Sequence, residues 1–439
     1  MAVGGDAQSS VVAAPDGDDD GSGLDLKPWS AFAYRDFTML WLGGVAMMVA
    51  QFMRLLTSIQ WVFEETDSEA LLGLLGAVQF IQMPFVIYGG ALADVVDRKK
   101  LMAMTQIVSL ISLVLVSVAA FSGSLEVWHI FVIHGVTGVV NMLGSSARPA
   151  MISRVVPRTH VTHAVTTNTG TFQVAAIVAP IMFGIVFTVF GVGAAFAVGA
   201  VVAAISVVTP FLIRVSGEPE GGSRRVTLRS LKEGFTFVRR HKILPGLYLL
   251  DIGVTVMSFY RFLFPIFADG LYDMGAVAVG LLNAFNSAGG LLGSVVVLYT
   301  ARFARKGLLV LIATAVYGVL LIAFGTVEIF AIGLLIVVGL GMTDAIGMTM
   351  RQTVVQLTTP DRLLGRASSA HSFAAMGANN VGQVEVAFMS GGIGAGPTMI
   401  LGGVVSIIVV GLIWKFVPGV SAYRYEPGSE RNAAEHADD

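Results

Sequence analysis

Long apolar runs alternate with short polar segments along almost the whole chain. Each run has about 20 or more residues, the length that an α-helix needs to cross a bilayer. The pattern predicts an all-α membrane protein with twelve transmembrane helices, called here spans 1 to 12 in chain order. The predicted spans cover residues 38–63, 70–93, 101–122, 127–152, 164–189, 192–213, 244–268, 276–300, 307–326, 329–356, 366–391 and 397–417.

The composition also indicates a protein embedded in lipid. Hydrophobic residues make up 55% of the 439 residues and charged residues only 13%, outside the usual balance of soluble globular proteins. The 51 glycines fit membrane helices that pack closely, since small residues let backbones approach each other. The absence of cysteine excludes disulfides, thiolate metal sites and cysteine catalysis.

Polar segments divide the chain into five predicted parts. Residues 1–28 form an acidic tail with too few apolar residues to fold, and residues 419–439 form a second polar tail. Two six-helix bundles cover residues 29–214 and 244–418, and the linker 215–243 joins them. Apolar residues recur in this linker at helical spacing among basic ones, which predicts an amphipathic helix on the inner membrane surface; they are Leu228, Leu231, Phe235 and Val238.

The basic residues predict how the chain is oriented in the membrane. Lysine and arginine favour cytoplasmic loops. If both termini are cytoplasmic, all 27 basic residues except Arg54 and Arg261 lie on the cytoplasmic side. We therefore expect a multi-pass protein of a plasma membrane, the bacterial inner membrane. The loops on the outer side instead hold acidic residues, namely Glu64, Glu65, Asp67, Glu126 and Asp273.

A weak internal repeat relates the two halves. Arg148 precedes a proline by nine residues, and Arg351 does the same 203 residues later (351 − 148). The basic segment that starts at Arg98 has a counterpart that starts at Arg305, 207 residues later (305 − 98). Because the two matches occur in the same order, the pattern predicts two pseudo-symmetric bundles, as in transporters built from repeats.

The segment between spans 2 and 3 concentrates charge in a short turn. Residues 89–101 read G-G-A-L-A-D-V-V-D-R-K-K-L. This resembles the signature loop of the major facilitator superfamily, G-x-L-A-D-R-x-G-R-[KR]-x-x-L, from which Val95 and Asp97 depart. The variant is similar to the branch that holds macrolide-efflux and enterobactin-export proteins. The matching residues are Gly90, Leu92, Asp94, Arg98 and Lys99.

The resemblance implies the major facilitator fold, with a substrate site between the two bundles, and a gate on the cytoplasmic side. Asp94 would face the positive N-terminal end of span 11, with Arg148 as its salt-bridge partner. The alternative is that the basic residues of the turn only fix the orientation. The predicted gating residues are Gly90, Asp94, Arg98, Arg148 and Arg351.

Span 5 contains a second, partial resemblance. Pro180 and Gly184 match the superfamily's antiporter signature G-P-x-x-G-G, whereas Ala179 and Phe183 replace two of its glycines. In that signature, small residues let spans 5 and 8 pack tightly and the proline bends the helix. The match favours export over uptake, and the alternative is an ordinary proline kink.

Ionisable residues inside a membrane are costly, so each one is a candidate for function. Arg54 in span 1 and Arg261 in span 7 are 207 residues apart (261 − 54), so they occupy equivalent repeat positions. Together they could hold an anionic group, and they resemble the arginine pair of organophosphate antiporters. Alternatively, they extend toward the membrane surface or pair with Glu385.

Three intramembrane carboxylates are candidates for carrying a coupling proton: Asp251, Asp344 and Glu385. Asp344 lies two helical turns before Arg351, so this pair is also a predicted intrahelical or water-mediated contact. His134 in span 4 titrates near neutrality, although a lone buried histidine is usually just hydrogen-bonded.

Polar side chains within the spans either line a cavity or join helices, and the sequence does not sort them. With the two arginines, the predicted substrate-binding residues are Arg54, Arg261, Tyr260, Asn283, Asn286 and Gln383. Phe172 and other aromatic residues are candidates for an apolar wall, although such residues more often serve packing or face lipid.

No phosphate-binding G-x-x-x-x-G-K-[ST] motif is present, so we expect neither ATP hydrolysis nor another enzymatic activity, and no cofactor. The sequence predicts a monomeric secondary transporter whose partners are protons, lipid and a small molecule, without nucleic acid. Its predicted action is proton-coupled efflux of a small amphipathic compound, such as a drug or siderophore, by antiport. The alternatives are an organic-anion or phosphate exchanger using Arg54 and Arg261, and a non-transporting membrane sensor.

Overall fold

A computed structural model describes residues 30–85, 88, 92, 95–218, 236–239, 241, 243–300, 303–359 and 361–424, and at 158, 162 and 361–369 it describes the backbone alone. Both predicted tails lie outside these ranges except for residues 419–424, and so does most of the predicted amphipathic linker helix. Gly90 and Asp94 of the predicted gate also lie outside them.

The described chain folds almost entirely into α-helices. Short 3-10 helices cover Ser30–Ala33, Arg158–His160 and Tyr260–Leu263. The α-helices are α1 Arg35–Thr66, α2 Glu69–Gln82, α3 Arg98–Phe121, α4 Val127–Gly144, α5 Ala147–Val155, α6 Val161–Leu212, α7 Leu244–Met257, α8 Phe264–Gly270, α9 Gly275–Thr300, α10 Lys306–Thr326, α11 Phe330–Thr358, α12 Asp361–Ile393, α13 Ala395–Phe416 and α14 Pro418–Ala422.

Nine helical segments of the described chain are long and apolar enough to cross a membrane, which agrees with the predicted all-α membrane protein. One of them, His163–Leu212, has 50 residues and contains predicted spans 5 and 6. At about 1.5 Å per residue it is more than twice the thickness of the hydrocarbon core. It breaks at Gly191, whose φ of 80° is readily adopted only by glycine. The count of twelve and the cytoplasmic termini stay predictions.

Each half of the chain packs mainly within itself. In the N-terminal half α6 packs against α1 and α3, while α4 packs against α2 and α3. In the C-terminal half α11 packs against α9 and α10, and α13 against α10 and α7. The contacts that connect the halves are mainly those of α6 with α9 and of α2 with α12.

The two halves meet tightly at one end of the bundle, which we call the closed end. A Cβ atom on Gly280 would lie 2.4 Å from the carbonyl oxygen of Pro180, so α6 and α9 touch through their backbones. The Gln60 amide donates to the carboxylate of Asp269 across the halves at 3.0 Å. Because α1 runs toward this end and α13 runs away from it, the first and last described residues lie at the opposite end.

Candidate functional site

A cavity of about 390 Å³ lies between the two halves. Its wall in the N-terminal half is mainly apolar and consists of Phe52 on α1 with Phe172, Gln173 and Ala176 on α6. The wall in the C-terminal half is polar and comes from span 7 together with α9, α10, α11 and α12. Among its residues are Thr255, Ser258, Tyr260, Arg261, Asn286, Tyr317, Asp344, Arg351 and Asn379.

A break in span 7 shapes the polar wall. α7 ends at Met257, and a 3-10 helix begins at Tyr260, so Ser258 lies between two helical segments. The hydroxyl of Tyr317 on α10 donates to the Ser258 carbonyl oxygen at 2.9 Å. Non-helical backbone at this depth needs such partners or a cavity, because lipid offers no hydrogen bonds. The break therefore places backbone and polar side chains at the cavity surface.

Two opposite charges are exposed to the cavity from this wall. Arg261 follows the break, and Asp344 lies halfway along α11; both side chains are exposed and line the cavity. Asp344 is within electrostatic range of Arg261 and Arg351. Among the described residues, Asp344 has no hydrogen-bond or ion-pair partner.

Arg351 is held in an ion pair with Asp251 rather than with Asp344. The Nη2 of Arg351 lies 2.7 Å from the Oδ1 of Asp251, and each side chain is 10% exposed. Residues seven apart on one helix are separated by about 10.5 Å along its axis, and no ion pair joins Asp344 to Arg351 among the described residues. The arginine instead reaches α7, so its ion pair joins two helices. A water-mediated contact between Asp344 and Arg351 stays a prediction.

The two arginines at equivalent repeat positions have different surroundings. Arg54 is only 7% exposed and does not belong to the cavity lining, whereas Arg261 does. The Nε and Nη1 atoms of Arg54 are buried without a hydrogen-bond partner among the described residues. His134 on α4, which is itself buried, lies within electrostatic range of Arg54. In this conformation the two arginines do not form one clamp.

The structure also sorts the predicted amide and tyrosine residues. Asn286 and Tyr260 both line the cavity, and the Asn286 amide donates to the Tyr260 hydroxyl. The Asn283 amide donates to the carbonyl of Val279 at 2.9 Å within its own helix. Gln383 accepts a hydrogen bond of 2.7 Å from Gln79, which connects α12 to α2 across the halves.

The remaining predicted residues that the structure describes lie outside this cavity. Glu385 is partly buried on α12, and its Oε2 atom has no partner among the described residues. Arg98 begins α3 at the end opposite the closed end. Pro180 and Gly184 lie on α6 where it meets α9 at the closed end, with a Cβ on Gly184 only 3.0 Å from the Ala276 carbonyl oxygen.

A second cavity of about 110 Å³ lies in the N-terminal half between α1 and α6. Arg148 lines it, and Phe172 lines both cavities. The sequence did not point to Trp41 or Gly44 of this cavity, nor to Ser258 and Tyr317 of the larger one. The only signal near the span 7 break is Pro265, seven residues after Ser258.

Known proteins resemble the chain in sequence. The family model described as Major Facilitator Superfamily matches residues 40–383. The Enterobactin exporter EntS of Citrobacter koseri is 25% identical over 394 residues, covering 89% of this chain and 91% of the exporter. The Enterobactin exporter EntS of Shigella boydii serotype 4 is 25% identical over 367 residues, covering 83% of this chain and 85% of the exporter.

Solved structures share the fold. A bacterial homolog of the human lysosomal transporter Spinster, in an inward-facing and unoccupied conformation, aligns with a TM-score of 0.70 and 15% identity, covering 91% of this chain and 99% of that one. A POT family transporter in complex with 5-aminolevulinic acid aligns with a TM-score of 0.68 and 12% identity, covering 88% of this chain and 97% of that one.

Proposed function

Because this chain belongs to the Major Facilitator Superfamily, a family of multi-pass membrane transporters, we propose that it exports a small amphipathic compound by alternating access, coupled to inward proton flow. The observation that carries this proposal is the cavity between the halves, which has an aromatic wall on one side and a charged wall on the other. An amphipathic molecule matches both walls, since pockets of this kind combine apolar surface with a few placed polar groups. The named relatives are enterobactin exporters, which supports export over uptake.

The position of the closed end supports a transport cycle. With the termini in the cytoplasm of a bacterial cell, the closed end faces outward and the cavity lies on the path to the cytoplasm. The contact of Gly280 with Pro180 then seals the outer side. A monomer is sufficient for this cycle, because the cavity is formed by one chain.

Asp344 is our choice for the group that carries the coupling proton. It is exposed to the cavity and has no described partner, so it can take up and release a proton where substrate binds. Asp251 is already held by Arg351, and releasing it would leave a buried cation unpaired. Glu385 lies outside the cavity lining. Asp251 and Glu385 are therefore the second choices.

The test is substrate-dependent proton movement in proteoliposomes that contain a pH dye, screened over lipophilic drugs, catecholate siderophores and organic phosphates. We expect Asp344→Asn to abolish uphill efflux and to leave substrate counterflow, which needs no proton. Glu328→Gln is the matched control, because this carboxylate is exposed in a loop away from the cavity. Full proton-driven efflux in Asp344→Asn would remove Asp344 from the coupling role and point to Asp251 or Glu385.

A second candidate is exchange of organic anions or phosphate without net proton flow. Exposure of Arg261 to the cavity favours it, since an arginine binds carboxylate or phosphate through two parallel hydrogen bonds. Anion exchange that persists after the proton gradient is collapsed, and that is lost in Arg261→Lys, would favour this function over proton-coupled efflux.

A further inference from the structure

The second cavity lies beside the larger one and ends on an arginine. It is lined by Trp41, Met48 and Gln51 on α1, by Asn168 and Phe172 on α6, and by Arg148 on α5. Phe172 belongs to both linings, so the two cavities adjoin at this ring. The volume of the second cavity, about 110 Å³, is several times the roughly 30 Å³ that a water molecule occupies in the liquid. The cavity therefore has room for an acidic group.

Arg148 reaches this cavity because the facing residue on α1 is Gly44. A Cβ atom at Gly44 would lie 2.6 Å from the Nη1 of Arg148, so any larger residue would displace the guanidinium. The same Nη1 donates to the carbonyl oxygen of Leu40 at 2.5 Å. The arginine is thus fixed against the backbone of α1.

The internal repeat relates the contact of Arg148 with Gly44 to a corresponding contact in the C-terminal half. Arg148 corresponds to Arg351, and Gly44 corresponds to Asp251 at the same offset of 207 that relates Arg54 to Arg261 (251 − 44). In the C-terminal half the aspartate neutralises the arginine at 2.7 Å. In the N-terminal half the aspartate is replaced by glycine.

Among the described residues, no carboxylate pairs with Arg148 in the way that Asp251 pairs with Arg351. The contacts of Arg148 among the described residues are to the neutral carbonyl of Leu40 and, with the side-chain amide of Gln106 turned over, to that amide oxygen at 3.2 Å. A cation inside a membrane protein is costly unless polar or anionic groups meet it. A positive charge that faces a mainly apolar cavity with a few amide and hydroxyl groups is suited to the acidic end of an amphipathic ligand.

We propose that the second cavity is a subsite for the acidic group of the transported compound, held by Arg148, with its aromatic or aliphatic part against Trp41 and Phe172 and extending into the larger cavity. The carboxamides of Gln51 and Asn168 supply further hydrogen-bond donors in the same lining. The inference rests on the proposed function, and it narrows the substrate class to amphipathic anions.

A pair of fluorescent probes isolates the acidic group. The probes are 1-anilinonaphthalene-8-sulfonate and N-phenyl-1-naphthylamine, which share one skeleton and differ by the sulfonate. Their saturable binding to purified protein in nanodiscs of neutral lipid is followed by energy transfer from tryptophan. This measurement needs no proton gradient and no flux. The subsite can therefore be supported when proton-coupled efflux is disproved, and the subsite can be disproved when proton-coupled efflux is supported.

The decisive variants test whether a carboxylate at position 44, the repeat equivalent of Asp251, neutralises Arg148. Gly44→Asp gives Arg148 the partner that Arg351 has, and Gly44→Asn has the same shape without the charge. We expect Gly44→Asp to weaken sulfonate binding about tenfold or more relative to Gly44→Asn, with binding of the neutral probe equal in both. Equal affinities for the sulfonate in the two variants would overturn the proposal.

Arg148→Gln provides an independent test if substitution at Gly44 impairs folding, which the thermal unfolding temperature would reveal. We expect it to lose the preference for the sulfonate over the neutral probe. If Arg148 serves only the predicted latch with Asp94, this variant would change transport rates and leave the sulfonate affinity as it is. That result would overturn the subsite and leave the proposed function standing.

Discussion

At the scale of single residues, Arg54 is the least satisfied charge of the described chain. It is buried at 7% exposure, and two of its nitrogens have no partner among the described residues. A buried cation without a partner costs several kcal/mol, whereas an apolar side chain of similar length packs without that cost. Arg54 therefore destabilises the conformation described here.

Replacing this arginine should stabilise the fold. We expect Arg54→Met to raise the thermal unfolding temperature by about 2 °C or more, measured in detergent by intrinsic fluorescence. Arg261→Met is the control, because Arg261 is already exposed to the cavity and its loss should bring no such gain. A clear fall in the unfolding temperature of Arg54→Met would mean that Arg54 has a stabilising partner.

The residue scale also shows what the sequence could not resolve. Arg54 and Arg261 are equivalent in the repeat, yet α1 is continuous past Arg54 whereas span 7 breaks at Ser258, three residues before Arg261. A change of a few residues in helical phase turns a side chain to another face, since successive residues differ by about 100°. Equivalent positions in sequence therefore reach different environments.

At the scale of elements, the contact of α6 with α9 holds the closed end together. Gly184 and Gly280 let the backbones touch, and Cβ atoms at either site would meet the other helix within about 3 Å. The sequence pointed to this contact through the resemblance of Pro180 and Gly184 to an antiporter signature. The reciprocal glycine on α9 has no motif and was found only from the packing.

A methyl group at this crossing should loosen the closed end. Gly280→Ala places its Cβ 2.4 Å from the Pro180 carbonyl oxygen, and because this is a backbone atom the helices must shift apart, so conformations with this end open gain population. The chain has no cysteine, so a single Ser287→Cys in the cavity wall reports access. We expect an impermeant maleimide added on the closed side to label this cysteine faster in Gly280→Ala.

Gly270→Ala is the matched control, since a Cβ at Gly270 meets nothing within 4 Å although the residue lies at the same end. Equal labelling rates in the two alanine variants would show that the α6–α9 contact does not limit opening.

At the scale of the whole molecule, alternating access requires the closed end to separate. The Cβ of Ala387 on α12 lies 3.1 Å from the position of a Cβ on Gly73 of α2. After small adjustment, this distance suits a disulfide, whose Cβ atoms lie roughly 3.5–4.5 Å apart. Gly73→Cys combined with Ala387→Cys should therefore cross-link the halves.

We expect oxidation of this double variant to stop substrate efflux in proteoliposomes and a reductant to restore it. Gly73→Cys alone is the control, because it cannot form the bond within one chain. Efflux that continues in fully cross-linked protein would show that transport does not require opening between α2 and α12.

The sequence by itself determined the class of the protein. Long apolar runs, the loop of residues 89–101 and the repeat identified a helical membrane transporter, and the family match and the related enterobactin exporters confirm the suspected superfamily and branch. It could do so because the bilayer imposes helix length and hydrophobicity directly on the chain. The candidates Tyr260, Arg261, Asn286 and Asp344 were also identified in this way, as polar groups within apolar runs.

Only the tertiary structure decided which of these groups meet. Arg351 forms an ion pair with Asp251 on a neighbouring helix, and Arg54 does not line the cavity. Gln383 forms a hydrogen bond that connects the two halves. The tertiary structure also revealed that Gly44 leaves Arg148 facing a second cavity. The physical reason is that a helix fixes the spacing of its own residues, whereas partners on other helices depend on breaks, crossings and helix phase, which hydropathy does not encode.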